Sequence, residues 1–178
     1  MDRNLGASQA ATSSTDADAY GDLYQWGRAA DGHQCRNSSN TSTLSSTDQP
    51  EHGDFITNGA SPRDWRSSQN DNLWQGVNGT NNPCPSGYRL PTNAELDAER
   101  GSWSSDDSDG AYASPLQLPL AGYRDGPSGW LLGVGSVGRY WSGTVSGTYA
   151  YKLDFYSSNT YLYNFARAFG YSVRCLKD

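Results

Sequence analysis

The chain has 178 residues and a net charge of −6, with 35% hydrophobic and 12% aromatic residues. The aromatic content, which includes six Trp, argues against a disordered chain and predicts one loop-rich domain with a core of few, large side chains. The negative charge argues against nucleic-acid partners, and no segment reaches the roughly 18 apolar residues of a membrane span.

The first half of the chain predicts few regular elements. Residues 1–19 are rich in Ala, Ser and Thr, which predicts an N-terminal segment without regular secondary structure. The aromatic residues in 20–28 predict a strand. Residues 29–72 have no hydrophobic periodicity and many turn-forming residues, which indicates a long, ordered loop segment, called the excursion below. His33 and His52 lie in this excursion, and we expect them to form loop or solvent hydrogen bonds rather than to activate a nucleophile.

The segment RLPTNAEL gives the clearest local signal. Thr92 is followed three residues later by Glu95, which is the pattern of a capping box. We therefore predict a strand at 88–90 and a helix of about two turns that Gly101 ends. The acidic segment 104–110 predicts a loop, and its spacing matches no calcium-binding loop.

The second half of the chain predicts β-structure. Residues 116–124 read as a strand, 129–143 as a glycine-punctuated hairpin, 157–160 as a turn and 169–175 as a last strand. The complete pattern predicts an α+β domain, with short helices, a small and mostly antiparallel sheet and long ordered loops.

Residues 149–156 alternate in the manner of a strand. Tyr151, Leu153 and Phe155 fall on one face, and Lys152, Asp154 and Tyr156 fall on the other. We expect the core to contain Leu153 and Phe155, together with Trp141 and Val173.

Aromatic side chains crowd residues 149–175, between Ser, Asn and Thr. Tyr149, Tyr156, Tyr161 and Tyr163 flank turns or share a face with charged residues, so we favour an exposed position for them. Tyr, Ser, Gly and Asn are the mixture that antibody binding loops use, and exposed aromatic clusters mark interaction sites. For Trp130 and Tyr140 the sequence does not decide between a position at the surface and one in the core.

These observations predict a ligand-binding surface built by residues 124–132 and 140–165, with an unknown protein or surface ligand as its partner. We expect no catalytic residue, no cofactor and no metal. The predicted contact residues are Asp125, Trp130, Leu132, Tyr140, Tyr149, Tyr151, Lys152, Asp154, Tyr156, Asn159, Tyr161, Tyr163 and Asn164.

The three cysteines, Cys35, Cys84 and Cys175, form no C-x-x-C pair, and no His lies at metal-ligand spacing. The three cysteines could form one disulfide and leave one free thiol, or all three could be free thiols. We favour a disulfide between Cys84 and Cys175. A bridge that closes so long a loop contributes on the order of 4 kcal/mol.

A series of segments runs in order through nearly the whole chain: MDRNLGAS, YGDLYQWGR, DGHQ, DWRSSQNDNLWQG, NNPCPSGYRLPTNAEL, ASPLQLPLAGYR, YWSGT, LDFYSSN and SVRCLKD. With these segments the chain resembles a Fibrobacter succinogenes major paralogous (FISUMP-type) domain. The resemblance implies a C-type-lectin-like fold in its formylglycine-generating-enzyme variant. It also implies that Cys84 and Cys175 lie near each other, and it leaves Cys35 outside the matching segments.

Domains of this type occur as variable proteins of diversity-generating retroelements, in which adenine-directed mutagenesis rewrites the 3′ end of a gene. The resemblance therefore implies a variable region at about 122–171. Residue types that arise from mutated Asn codons crowd residues 125–169, notably at Asp154, Tyr156, Tyr161, Leu162, Tyr163 and Phe165.

Two alternatives to a binding domain stay open. One is a structural module of the cell surface, and the other is an oxidase of the formylglycine-generating type. The sequence MDRNLGASQA lacks the apolar core of a signal peptide, so the chain is either intracellular or a domain of a longer exported protein. We favour the second and expect an extracellular position, on a cell or virion.

Overall fold

The computed structural model describes residues 1–178 and confirms the α+β class. It contains a 3-10 helix at Ala17–Ala19 and two α-helices, α1 (Asn93–Gly101) and α2 (Ser108–Ala113). The strands are β1 (Tyr24–Gln25), β2 (Asn40–Thr41), β3 (Phe55–Ile56), β4 (Tyr88–Arg89), β5 (Tyr123–Arg124), β6 (Leu131–Leu132), β7 (Gly138–Ser146), β8 (Tyr149–Phe155), β9 (Thr160–Ala166), β10 (Gly170–Tyr171) and β11 (Leu176–Lys177).

The strands form four small sheets. The longest strands build the antiparallel sheet β7-β8-β9, and a second antiparallel sheet has the order β1-β10-β5-β6. Strands β4 and β11 pair antiparallel, and β2 and β3 pair parallel. A bridge between Tyr140 and Ser172 links the two larger sheets.

The β7-β8-β9 sheet lies between two hydrophobic clusters. The larger contains four buried Trp, whose indole N–H groups each donate to a backbone carbonyl at 2.7–2.9 Å, which satisfies the polar atom of each ring. The smaller lies on the helix side of the sheet and includes Leu96, Leu153 and Phe155. The predicted core positions of Trp141, Leu153, Phe155 and Val173 are confirmed, because all four are fully buried.

The start of α1 follows the predicted pattern. The Thr92 hydroxyl accepts from the Glu95 N–H at 3.2 Å, and the Glu95 carboxylate accepts from the Thr92 N–H at 2.7 Å. Arg89 also donates two hydrogen bonds to this carboxylate, and these bonds lower the pKa of Glu95 to about 2. The predicted acidic loop is wrong in its second half, where Asp107 caps α2 and Ser108 begins it.

Three predicted β-segments are shorter or paired differently. Within 116–124 only Tyr123–Arg124 forms a strand, because Pro119 has no N–H to donate and Gln117 has a φ of 47°. The predicted hairpin at 129–143 is wrong, since β6 pairs with β5 and β7 pairs with β8. The last strand is reduced to Gly170–Tyr171 and the bridge at Ser172.

The predicted disulfide is confirmed. Cys84 and Cys175 are joined with a Cα–Cα distance of 5.9 Å, and Cys35 is an exposed free thiol. The amino group of Met1 donates to the Cys175 carbonyl at 2.9 Å, so the first residue is held beside the bridge.

Neither α-helix has the length and apolar composition that crossing a lipid bilayer requires.

Candidate functional site

A row of aromatic rings lies along β9 and the turn before it. The rings of Tyr156, Tyr161, Tyr163 and Phe165 meet edge to face, with successive centroid distances of 6.2, 6.4 and 6.1 Å. Tyr161 is 48% exposed and Tyr163 is 38% exposed. We call these four residues the aromatic row. The structure thus brings three of the predicted tyrosines together, with Tyr161 and Tyr163 exposed as predicted and Tyr156 half-buried.

Two predicted contact residues lie beneath this row and are not exposed. Lys152 and Asp154 have no accessible surface, so the prediction that this face of β8 is open to solvent is wrong. The reason is that β8 is the central strand of its sheet and has side chains packed on both faces. Lys152 and Asp154 form an ion pair, and the Arg139 guanidinium approaches the same carboxylate at 3.5 Å.

The buried Asp154 carboxylate fixes two of the rings. The hydroxyl groups of Tyr163 and Tyr156 donate to its Oδ2 at 3.0 and 3.2 Å. The Lys152 ammonium lies 3.9 Å from the centroid of the Tyr163 ring, within the range of a cation–π contact. Tyr163 therefore exposes part of its ring to a partner and keeps its hydroxyl inside.

Burial dominates the titration of this cluster. It lowers the pKa of Lys152 to about 8, although the charge of Asp154 acts in the opposite direction. Burial and the nearby Asp154 charge also raise the pKa of Tyr163, so its hydroxyl stays a hydrogen-bond donor across the physiological range.

The remaining predicted residues are spread over several environments. Tyr140 is buried on the helix side, where its hydroxyl donates to the Pro119 carbonyl at 3.0 Å, so its predicted place on the binding surface is wrong. Tyr151 is half-buried. The main-chain carbonyl of Asn159 accepts a hydrogen bond from the Tyr156 N–H at 2.9 Å, which closes the β8–β9 turn.

A second exposed surface surrounds Trp130. Trp130 is 69% exposed, and Leu131, Leu132 and Val134 are exposed beside it; we call these four residues the 130–134 patch. The turn before it is fixed by Asp125, whose carboxylate accepts from the N–H and hydroxyl of Ser128 at 3.0 and 2.6 Å. Leu131 lies within the predicted surface at 124–132 but was not a predicted contact residue, and Val134 lies outside that surface; the apolar character of these residues does not indicate their exposure.

A groove lies next to the aromatic row. It has a volume of about 460 Å³, and its lining is formed by Gly59, Ser61, Pro62, Arg63, Tyr149, Asn164, Phe165 and Ala166. Tyr149 and Asn164 were predicted contact residues, whereas the loop at 59–63 was not predicted to take part. Its position depends on long-range hydrogen bonds, such as that from the Ala168 N–H to the Arg63 carbonyl at 2.9 Å, which no local sequence pattern shows.

Replacing Tyr161 with Ala should lower the free energy of unfolding by less than about 1 kcal/mol, because much of its ring is exposed and its hydroxyl has no protein partner. Replacing Tyr163 with Ala should cost about 2–3 kcal/mol, since it removes a donor to a buried carboxylate and a cation–π contact. Urea denaturation of the two variants measures the difference. Equal losses would contradict the distinct anchoring of these neighbours.

The histidines form no nucleophile-activating pair. His33 is fully buried, its Nδ1 lies 2.6 Å from an Asp31 carboxylate oxygen and its Nε2 accepts from the Gln25 N–H at 3.1 Å. Both ring nitrogens are therefore occupied, as the prediction of loop hydrogen bonds expected. No group of three or more His, Cys, Asp or Glu side chains is arranged to hold a metal ion.

Acidification should destabilise the fold through His33. Burial lowers its pKa from 6.5 to about 4, so the unfolded chain binds one more proton than the folded chain between these values. The free energy of unfolding should fall, by on the order of 3 kcal/mol, as the pH drops through this window. A His33→Gln variant should show a flatter profile between pH 4 and 6.5, whereas His52→Gln, which changes an exposed ring, should keep the drop. Equal slopes in the parent and His33→Gln would contradict this origin.

No protein family, curated protein or solved structure matches the chain.

Proposed function

We propose that the chain is a non-catalytic ligand-binding domain with a C-type-lectin-like fold of the FISUMP type. The observation that carries the proposal is the aromatic row, in which Tyr161 and Tyr163 are exposed and the buried Asp154 carboxylate fixes the hydroxyl groups of Tyr156 and Tyr163. Rings that are fixed before binding lose little conformational freedom on contact, which lowers the entropic cost of recognition. Their combined exposed surface suits a protein partner better than a small molecule.

We further propose that the domain is a retroelement-diversified protein that is displayed on a cell or virion surface. The resemblance described above supports this, as does the location of the exposed rings within residues 122–171. Strand β9 draws its regularity from main-chain pairing with β8. Exposed side chains on such a strand can therefore change without loss of the sheet.

Sequencing the gene from many cells or genomes tests the diversification. We expect substitutions confined to the 3′ part of the gene at template adenines, with Tyr161 and Tyr149 among the changed positions. A reverse transcriptase gene and a template repeat next to this gene are expected as well. Uniform drift along the gene would instead favour a structural module of the cell surface.

An oxidase of the formylglycine-generating type remains the alternative of a different class. Such an enzyme needs a reactive cysteine pair, and two of the three cysteines are joined in the disulfide while Cys35 is single. Incubation with a Cys-containing peptide should leave the peptide unchanged. Oxidation of the peptide thiol that is lost on Cys35→Ser would overturn the proposal of a non-catalytic domain.

A further inference from the structure

Strand β9 is the edge of its sheet. It pairs with β8 along one side through seven residues, from Thr160 to Ala166, and no strand pairs with its other side. The unpaired N–H and C=O groups of such an edge are a template for another strand.

The hydrogen bonds identify which backbone groups of β9 point outward. On β7, the backbone of Arg139 and Trp141 bonds to Ser172 at 3.0 Å, which leaves Tyr140 facing β8. Since alternate residues of an antiparallel strand bond to opposite neighbours, Lys152 and Asp154 of β8 face β9.

Their partners in register are Tyr163 and Tyr161. The hydrogen bond from the Tyr156 N–H to the Asn159 carbonyl agrees with this assignment, because Tyr156 is two residues from Asp154 and also bonds on the β9 side. Leu162 and Asn164 consequently direct their N–H and C=O groups away from the sheet, and no hydrogen bond outside the β8–β9 pair uses the backbone of either.

This edge lacks the features by which proteins block unwanted pairing. Its sequence, TYLYNFA, has no Pro and no charge, and its register with β8 is continuous, whereas a register shift interrupts the pairing of β7 with β8. Pro, Lys and bulges are the usual protections of an exposed edge. Their absence from a strand that carries the aromatic row indicates an edge that is available for pairing.

The groove continues from the β9 edge, and its lining indicates which charge a partner should carry. Asn164 and Ala166 of β9 line this groove together with residues of the loop at 59–63. Arg63 is exposed and is the one charged side chain of the lining. A strand that leaves the β9 edge through this groove passes Arg63, so an acidic side chain at that point is favoured. The net charge of −6 weighs against a second copy of this chain as the occupant.

We propose that β9 binds an extended peptide segment of a partner protein by strand addition, with an acidic side chain of that segment beside Arg63. The main-chain groups of Leu162 and Asn164 supply the hydrogen bonds, and alternate side chains of the segment contact Tyr161 and Tyr163. This inference rests on the proposed function, because it names the partner and the geometry for the same surface.

A display library of linear twelve-residue peptides, panned against the folded domain, supplies the probe. We expect enriched peptides to have aromatic or β-branched residues at alternate positions and an acidic residue near one end. In the unmodified domain, amide hydrogen exchange should slow at Leu162 and Asn164 when peptide is added. The amides of Tyr161 and Tyr163 should already be protected without peptide, because they bond to β8.

Two variants at one position isolate the backbone contribution. Asn164→Ala and Asn164→Pro both remove the amide side chain, but only the Pro variant also removes the outward N–H, a change that an edge strand tolerates. We expect the dissociation constant of the peptide to be at least about tenfold higher for the Pro variant than for the Ala variant. N-methylation of alternate peptide nitrogens should cause a similar loss, which tests the same hydrogen bonds without changing the domain.

Several outcomes would overturn strand addition. These are the absence of any enriched peptide, equal affinities for the two Asn164 variants, or protection without the alternating pattern. If binding depends on Tyr161 but not on the Asn164 N–H, strand addition fails and the proposed function stands. If enriched peptides are insensitive to both changes, both proposals fail. A dimer of the free domain that Asn164→Pro dissociates would assign the edge to a second copy instead.

Discussion

Replacing Asp154 with Ala should lower the free energy of unfolding by about 3–5 kcal/mol, the range found when one partner of a buried ion pair is removed. The carboxylate is fully buried and contacts both Lys152 and Arg139. It also accepts hydrogen bonds from Tyr156 and Tyr163. Its removal leaves two cations without their counter-charge and two hydroxyl groups without an acceptor.

Urea denaturation followed by tryptophan fluorescence measures this loss. Asp109→Ala is a matched control, because Asp109 is exposed and its replacement should change the stability by no more than about 0.5 kcal/mol. Adding Lys152→Met to Asp154→Ala should recover about 1–3 kcal/mol, since it replaces an uncompensated buried charge with an apolar side chain. A loss below about 1 kcal/mol for Asp154→Ala would contradict the role of the carboxylate as the centre of the cluster.

Replacing Cys84 with Ser should cost about 4–5 kcal/mol. The disulfide joins residues 91 positions apart, and the chain-entropy relation for a loop of that length gives this value. For a domain of this size, the melting temperature should fall by on the order of 10 °C. Calorimetry in the absence of reductant measures both quantities.

Cys35→Ser is the matched control for the disulfide variant, because Cys35 is exposed and unpaired. We expect its melting temperature to equal that of the parent. A reductant should lower the melting temperature of the parent and of Cys35→Ser, and leave that of Cys84→Ser unchanged. A parent that melts at the same temperature with and without reductant would show that the bridge does not limit stability.

The sequence predicts those parts of the fold that are encoded locally. The capping box at Thr92 and Glu95 involves residues three positions apart, and its hydrogen bonds are those expected. The predicted strand at 116–124 fails because Pro119 and the left-handed backbone of Gln117 interrupt it. The aromatic composition of the core was also predictable, because few other apolar residues are present to fill it.

The alternation in β8 shows why part of the site could not be predicted. A strand of period two with Lys152 and Asp154 on one face suggests that this face meets water. Here the two charges neutralise each other, and Arg139 and Tyr171 reach the same cluster from other strands. These contacts join segments that are distant in sequence, so only the three-dimensional arrangement reveals that the face is closed.

The hydrogen bonds to Asp154 divide the four tyrosines that were predicted to be exposed into two kinds of position. At 156 and 163 a replacement side chain must bring its own donor to the carboxylate, or leave a lone pair unmet in the interior. At 149 and 161, where the ring hydroxyls bond to no protein atom, no such demand exists. Related sequences should consequently show few different amino acids at positions 156 and 163 and many at positions 149 and 161.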